Sequence, residues 1–170
     1  MKMKGYKVFI GQNGEFRNNA GMICFEGQTL ETQDEIKPRT HGYHFAKRLE
    51  DTLRFGNAMY ERVVICEVTS MGELIEYEDE YNEYFNLYVT SKLRIDRILT
   101  RKEIIEYADN LPEFRLKRFI QTMRLTKEEA EYFKGRSFDL DNYIDYYQFH
   151  NEKAFYRPYP LNYGLKKRQK

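Results

Sequence analysis

Tryptophan is absent from this 170-residue chain, cysteine occurs twice, histidine three times and proline four times. Each scarcity excludes something. Cys24 and Cys66 show no Cys-x-x-Cys spacing, so neither a disulfide framework nor a zinc ribbon is available. No stretch approaches the roughly 20 apolar residues that a membrane span needs, and no apolar run follows the Met1-Lys-Met-Lys opening as a secretory signal requires. A cytoplasmic location is the expectation. Charge of one sign is lacking too: 28 Lys+Arg against 27 Asp+Glu leave a net charge of +1, which argues against a mimic of nucleic-acid phosphate. There is no Gly-rich phosphate loop, Gly-x-Ser-x-Gly elbow or His-Glu-x-x-His. The sequence therefore predicts no cofactor and no metal, and leans away from an enzyme.

Tyrosine and phenylalanine are plentiful: 15 Tyr and 12 Phe make the chain 16% aromatic, although its mean hydropathy is only -0.80. Tyr buries a large ring while its hydroxyl still needs water or a partner, which suits core boundaries and contact surfaces. Charge is unevenly divided. Residues 1–100 carry 13 basic and 16 acidic side chains, net -3, and residues 101–170 carry 15 and 11, net +4. That dipole can steer an encounter with a charged partner without naming it.

The first hundred residues read as β-rich. Tyr6–Ile10 predicts a strand closed by a Gly11-Gln-Asn-Gly14 turn, Met22–Phe25 a second, and Glu31–Thr40 a loop. Phe45, Leu49 and Leu53 recur at helical spacing, predicting a helix over 46–55. Glu61–Thr69 is an apolar strand buried on both faces, and strands follow over 73–77, 87–90 and 93–99. At Thr100 the period changes. Thr100-Arg-Lys-Glu103 and Thr126-Lys-Glu-Glu129 read as capping boxes, Pro112 as a proline near the first turn of the next helix, and Asp139 or Asp141 as cap of a last helix through Phe149. The predicted class is α+β: a small mixed or antiparallel sheet with one inserted helix, then a C-terminal cluster of three or four short helices. The predicted divisions are a β-rich domain over 1–99, a helical segment over 100–155 docked on it, and an extended basic tail over 156–170.

Few residues invite chemistry. His41 and His44 flank Gly42-Tyr43, and on a strand their side chains fall on opposite faces, so a structural role is expected, with His44 donating beneath the helix it introduces. Cys24 and Cys66 sit in apolar runs as inert core residues. Glu73 to Glu83 holds six acidic residues and no basic one, read as a solvated loop. Tyr143, Tyr146 and Tyr147, with Tyr156, Arg157, Tyr159, Lys166, Lys167 and Arg168, form the predicted binding set. In the tail, cations alternate with rings as in single-strand nucleic-acid contacts.

Gly5-Tyr-Lys-Val-Phe9, Gly42-Tyr-His-Phe45, Glu67-Val68 and Val89-Thr-Ser-Lys-Leu-Arg-Ile95 together resemble an uncharacterised domain of bacteriophage and prophage proteins with a Gly-Phe-His-Phe signature, over about residues 5–99. The resemblance implies a small protein of a mobile element, acting in a bacterial cytoplasm. The order of elements also looks like the split-sheet order of ADP-ribosyltransferases. That likeness implies NAD as substrate and Glu83 as the carboxylate, with His44 as a further catalytic position. It departs from those enzymes in offering Lys7 where they have Arg or His, and in lacking their Ser-Thr-Ser motif.

The leading functional expectation is a module that binds a host or phage protein and blunts a bacterial defence system. An ADP-ribosyltransferase-like enzyme or degenerate relative, and a nucleic-acid-associated protein using the basic C-terminal part, are the alternatives. No membrane partner is expected.

Overall fold

In the computed structural model, residues 2–12, 15–56, 58, 62–79 and 82–149 are described. The class is α+β, as the change of period at Thr100 predicts. Strands β1 (Lys4–Gln12), β2 (Glu15–Arg17), β3 (Ile23–Cys24), β4 (Thr29–Glu31) and β5 (Tyr43–Ala46) precede a short helix α1 (Leu49–Thr52) that tightens into a 3-10 turn over Leu53–Phe55. Strands β6 (Val63–Ser70), β7 (Leu74–Asp79), β8 (Asn82–Thr90) and β9 (Lys92–Ile98) follow. Helices α2 (Arg101–Asp109), α3 (Glu113–Thr122), α4 (Lys127–Phe133) and α5 (Phe138–Ile144) come last among the described residues, α5 running on into a π turn over Asp145–Phe149.

The sheet runs β4-β9-β6-β1-β5-β8-β7, with β2 and β3 as a hairpin extension from the far end of β1, and every pairing is antiparallel. The alternation of β6 explains its central place. Val63 and Ile65 face the helices, in one core with Val8, Leu49, Leu53, Ile104, Phe119, Ile120 and Phe133, whereas Val64, Cys66 and Val68 face a second core with Phe9, Phe16, Cys24, Leu30 and Ile95. Each fully buried Leu, Ile or Phe contributes about 1.5–3 kcal/mol. Both cysteines are free and buried, as expected of core thiols, and burial pushes their pKa values up.

Local chemistry sets the helix ends. Thr100 completes its capping box: its hydroxyl accepts from the Glu103 amide at 3.2 Å and Glu103 accepts from the Thr100 amide at 2.7 Å. Thr126 makes half of one, accepting from the Glu129 amide at 3.1 Å. The Glu129 carboxylate is occupied by Arg101, 2.8 Å away. Pro112 stands at the cap of α3, next to its first turn, as expected. Two expectations about helix ends need correction. Ser137, and neither Asp139 nor Asp141, caps α5, because its hydroxyl takes the Leu140 amide while Asp141 takes the Gly135 amide. The inserted helix begins at Leu49 because Phe45 and Ala46 pair in β5 with Tyr88 and Leu87. The acidic stretch is sheet more than loop, since most of it lies in β7 and β8. The central part of the Gly11–Gly14 turn lies outside the described residues, as does everything from residue 150.

Candidate binding cleft at the split of the sheet

The two halves of the sheet, β4-β9-β6-β1 and β5-β8-β7, meet at one backbone pair, Tyr6 with Ala46. On its other edge β1 pairs with β6 from Lys4 to Ile10. Gly5 permits the contact: a Cβ there would lie 2.4 Å from the Ala46 carbonyl oxygen and 2.8 Å from the Phe45 ring. Past that point β1 and β5 part. The Val8 amide, deprived of a strand partner on this side, donates to Thr52 Oγ1 at 3.2 Å, so α1 plugs the split by satisfying a backbone group that burial leaves costly to strand.

A cavity of about 690 Å³ fills the gap, within the range that holds small molecules. Lys7 and Val8 come from β1; Tyr43 and His44 from β5; Thr52 and Phe55 from the α1 region; Tyr77 and Leu87 from β7 and β8. Asn18, Asn19, Ala20 and Met22 of the β2–β3 turn and Arg39 of the preceding loop form its rim. That turn is fixed by Asn18, whose side chain accepts from the Met22 amide at 2.9 Å. Arg39 donates to the Glu78 carbonyl at 3.1 Å, tying the loop to β7. Gly42, at φ +107°, bends the chain into β5, and a Cβ there would meet Val89 Cγ2 at 2.6 Å.

Two groups define the electrostatics. Lys7 is partly buried, donates from Nζ to the His44 carbonyl at 2.6 Å and lies 5.6 Å from the centroid of the Phe9 ring. Burial brings its pKa down to about 8. His44 meets the Tyr77 ring edge-on at 5.8 Å. Burial, and then the Lys7 charge, bring its pKa down to about 4, against the opposing pull of the Gly42 and Lys37 carbonyls. The imidazole is neutral at pH 7, and its buried Nε2 has no hydrogen-bond partner among the described residues. Among the described lining residues there are two basic side chains and no carboxylate. The cleft is thus a positive, ring-lined recess.

The expected role of His44 is corrected: it lies on β5, facing the cleft and not beneath a helix, whereas His41 is exposed on a backbone bridge to Lys37. Glu83 belongs to β8, and its side chain lies outside the described residues. Tyr143, Tyr146 and Tyr147 do not line the cleft, and they differ among themselves. Tyr143 donates to Gln121 at 3.0 Å and packs on Tyr147 at 4.7 Å, both partly buried against the helical core, and only Tyr146 is exposed. Burial and the neighbouring Tyr147 raise the Tyr143 pKa to about 12. Tyr156, Arg157, Tyr159, Lys166, Lys167 and Arg168 lie outside the described residues. Lys7 enters the sequence reading only as a departure from the ADP-ribosyltransferase pattern, not as a site residue. Its signal was alternation, which puts this one cation on the same strand face as Phe9.

No protein-family model, no curated protein and no solved structure matches this chain. Among the described residues no helix is long and apolar enough to cross a membrane.

Proposed function

We propose that this chain works by binding, and that its cleft receives a small anionic molecule. The observation that carries the reading is a cation in a recess with no carboxylate among the described lining residues: Lys7 spends one of its three donors on His44 and keeps two for a ligand oxygen. Tyr43, Phe55 and Tyr77 supply apolar walls, and Asn18 and Asn19 supply amides at the rim. A transferase acting on NAD, the reading implied by the split-sheet likeness, calls for a carboxylate facing the bound sugar. Glu83, the carboxylate that likeness names, has its side chain outside the described residues.

Thermal melts with inorganic phosphate, adenosine monophosphate, NAD and pyruvate test the proposal through linkage. At least one should raise the midpoint in wild type and fail to do so in Lys7→Gln. A flat response to all four refutes an anion-binding cleft.

A second reading, docking on a host or phage protein, is favoured by the far end of the helical layer. The Ser137 hydroxyl donates to Glu113 at 2.9 Å, which brings the starts of α3 and α5 together. The next residue on each helix is an exposed ring, Phe114 at 63% and Phe138 at 82%. Exposed aromatic rings are enriched in protein interfaces. Affinity capture from an infected or lysogenic bacterium should recover one protein stoichiometrically with wild type and lose it with Phe114→Ser/Phe138→Ser. Equal recovery by both removes this reading.

A further inference from the structure

We propose that Lys7 is a covalent site, at which its Nζ condenses with the carbonyl carbon of a 2-oxo acid held in the cleft to form a reversible imine. The inference rests on the cleft being a ligand site and names the class of ligand.

The geometry supplies what this condensation requires. Nζ lies at the cavity wall, on the sheet face that also carries Phe9, Cys24 and Cys66, all buried. Such surroundings disfavour the ammonium form, which is how lysines become nucleophiles. With its pKa brought down to about 8, roughly a tenth of Lys7 is the free amine at pH 7, far more than for an ordinary lysine. The His44 carbonyl, 2.6 Å from Nζ, fixes the amine in place.

The step balances without any further reactant. The amine lone pair attacks the carbonyl carbon; a C–N bond forms as the C–O π bond opens. A proton passes from nitrogen to that oxygen, giving the carbinolamine. The hydroxyl then leaves as water with the remaining N–H proton, forming the C=N bond, and hydrolysis reverses the sequence. Nothing is oxidised or reduced. A 2-oxo acid suits this recess better than a simple aldehyde because its carboxylate enters a space whose described lining has no carboxylate, with Arg39 adding positive charge at the rim.

The test uses the full chain with glyoxylate and cyanoborohydride, which reduces an imine to a stable secondary amine, followed by peptide mapping. Lys7 should be labelled at least tenfold faster than Lys102, whose side chain is 84% exposed. Labelling of Lys7 no faster than Lys102 overturns the proposal. A melt with glyoxylate alone separates the two claims. A raised midpoint without selective labelling retires the imine and keeps the cleft, and the absence of both retires the two together.

Discussion

Lys7 donates from Nζ to the carbonyl oxygen of His44 across 2.6 Å, so the two strands that part after Tyr6 and Ala46 are tied again by a side chain. The tie holds a cation where solvation is poor, and pH reports it. The folded-state pKa of Lys7 is lowered to about 8 from 10.5, so between these values the unfolded chain binds more protons and stability rises with pH. Denaturant titrations from pH 7.5 to 10 should show this rise in wild type and a flatter profile in Lys7→Met.

On the acid side two groups act in opposite senses. His44, lowered to about 4 from 6.5, withdraws stability as pH falls through that window, since the unfolded chain takes up the proton first. Asp51 is fully buried on α1; burial and the neighbouring Glu50 raise its pKa to about 6 from 3.8, in spite of Arg118 at 3.5 Å. Its folded form binds the proton first, so it adds stability as pH falls from about 6. Wild type should therefore change little between pH 6 and 4. His44→Gln should gain stability over that range and Asp51→Asn should lose it; the same sign of slope in both variants contradicts the assignment.

Gly5 and Gly11 lie on one strand and face different neighbours. A Cβ at Gly5 meets the Ala46 backbone at 2.4 Å, whereas one at Gly11 meets nothing closer than Val64 Cγ2 at 3.5 Å. Gly5→Ala should cost about 1–3 kcal/mol, as overpacking against backbone does, and Gly11→Ala should stay within about 0.5 kcal/mol. Urea midpoints of the two variants make the comparison.

The helical layer is held to the sheet side by charge as well as by packing. Arg115 pairs with the fully buried carboxylate of Glu50, which also accepts from the Tyr107 hydroxyl at 2.8 Å. Removing one partner strands the other, so Arg115→Ala should cost about 3–5 kcal/mol. Lys102→Ala, which breaks an exposed pair with Glu106, should cost under about 1 kcal/mol. Equilibrium unfolding of both variants decides the matter; similar losses refute the buried role of Glu50.

The class, the main strands and the helical layer were legible because their signals are local. The β6 run, the 3.6-residue period after Thr100 and its capping box each act within one element. What escaped depends on distance in sequence. Glu129 belongs to a capping box by spacing, and only the folded chain brings Arg101 to claim it. The short strands β2 and β4 exist through their partners: Phe16 pairs with Gly11, and Leu30 with Leu93. The cleft arises where β1 and β5 fail to stay paired, and no pattern in either segment announces that failure. Tyr143 and Tyr147 are contact residues by type, although Tyr143 on α5 and Tyr147 in the π turn after it both pack against the core.

One buried amide sets the order in which the helical layer can close. Gln148 donates to the carbonyls of Ile120 and Met123 at 2.6 and 2.9 Å and accepts from the Leu125 amide at 3.2 Å, serving the backbone just where α3 ends. The end of α3 thus waits on a side chain that emerges from the ribosome more than twenty residues later. Without Gln148 the Ile120 and Met123 carbonyls and the Leu125 amide are left to water, so these three bonds form only once the chain includes residue 148.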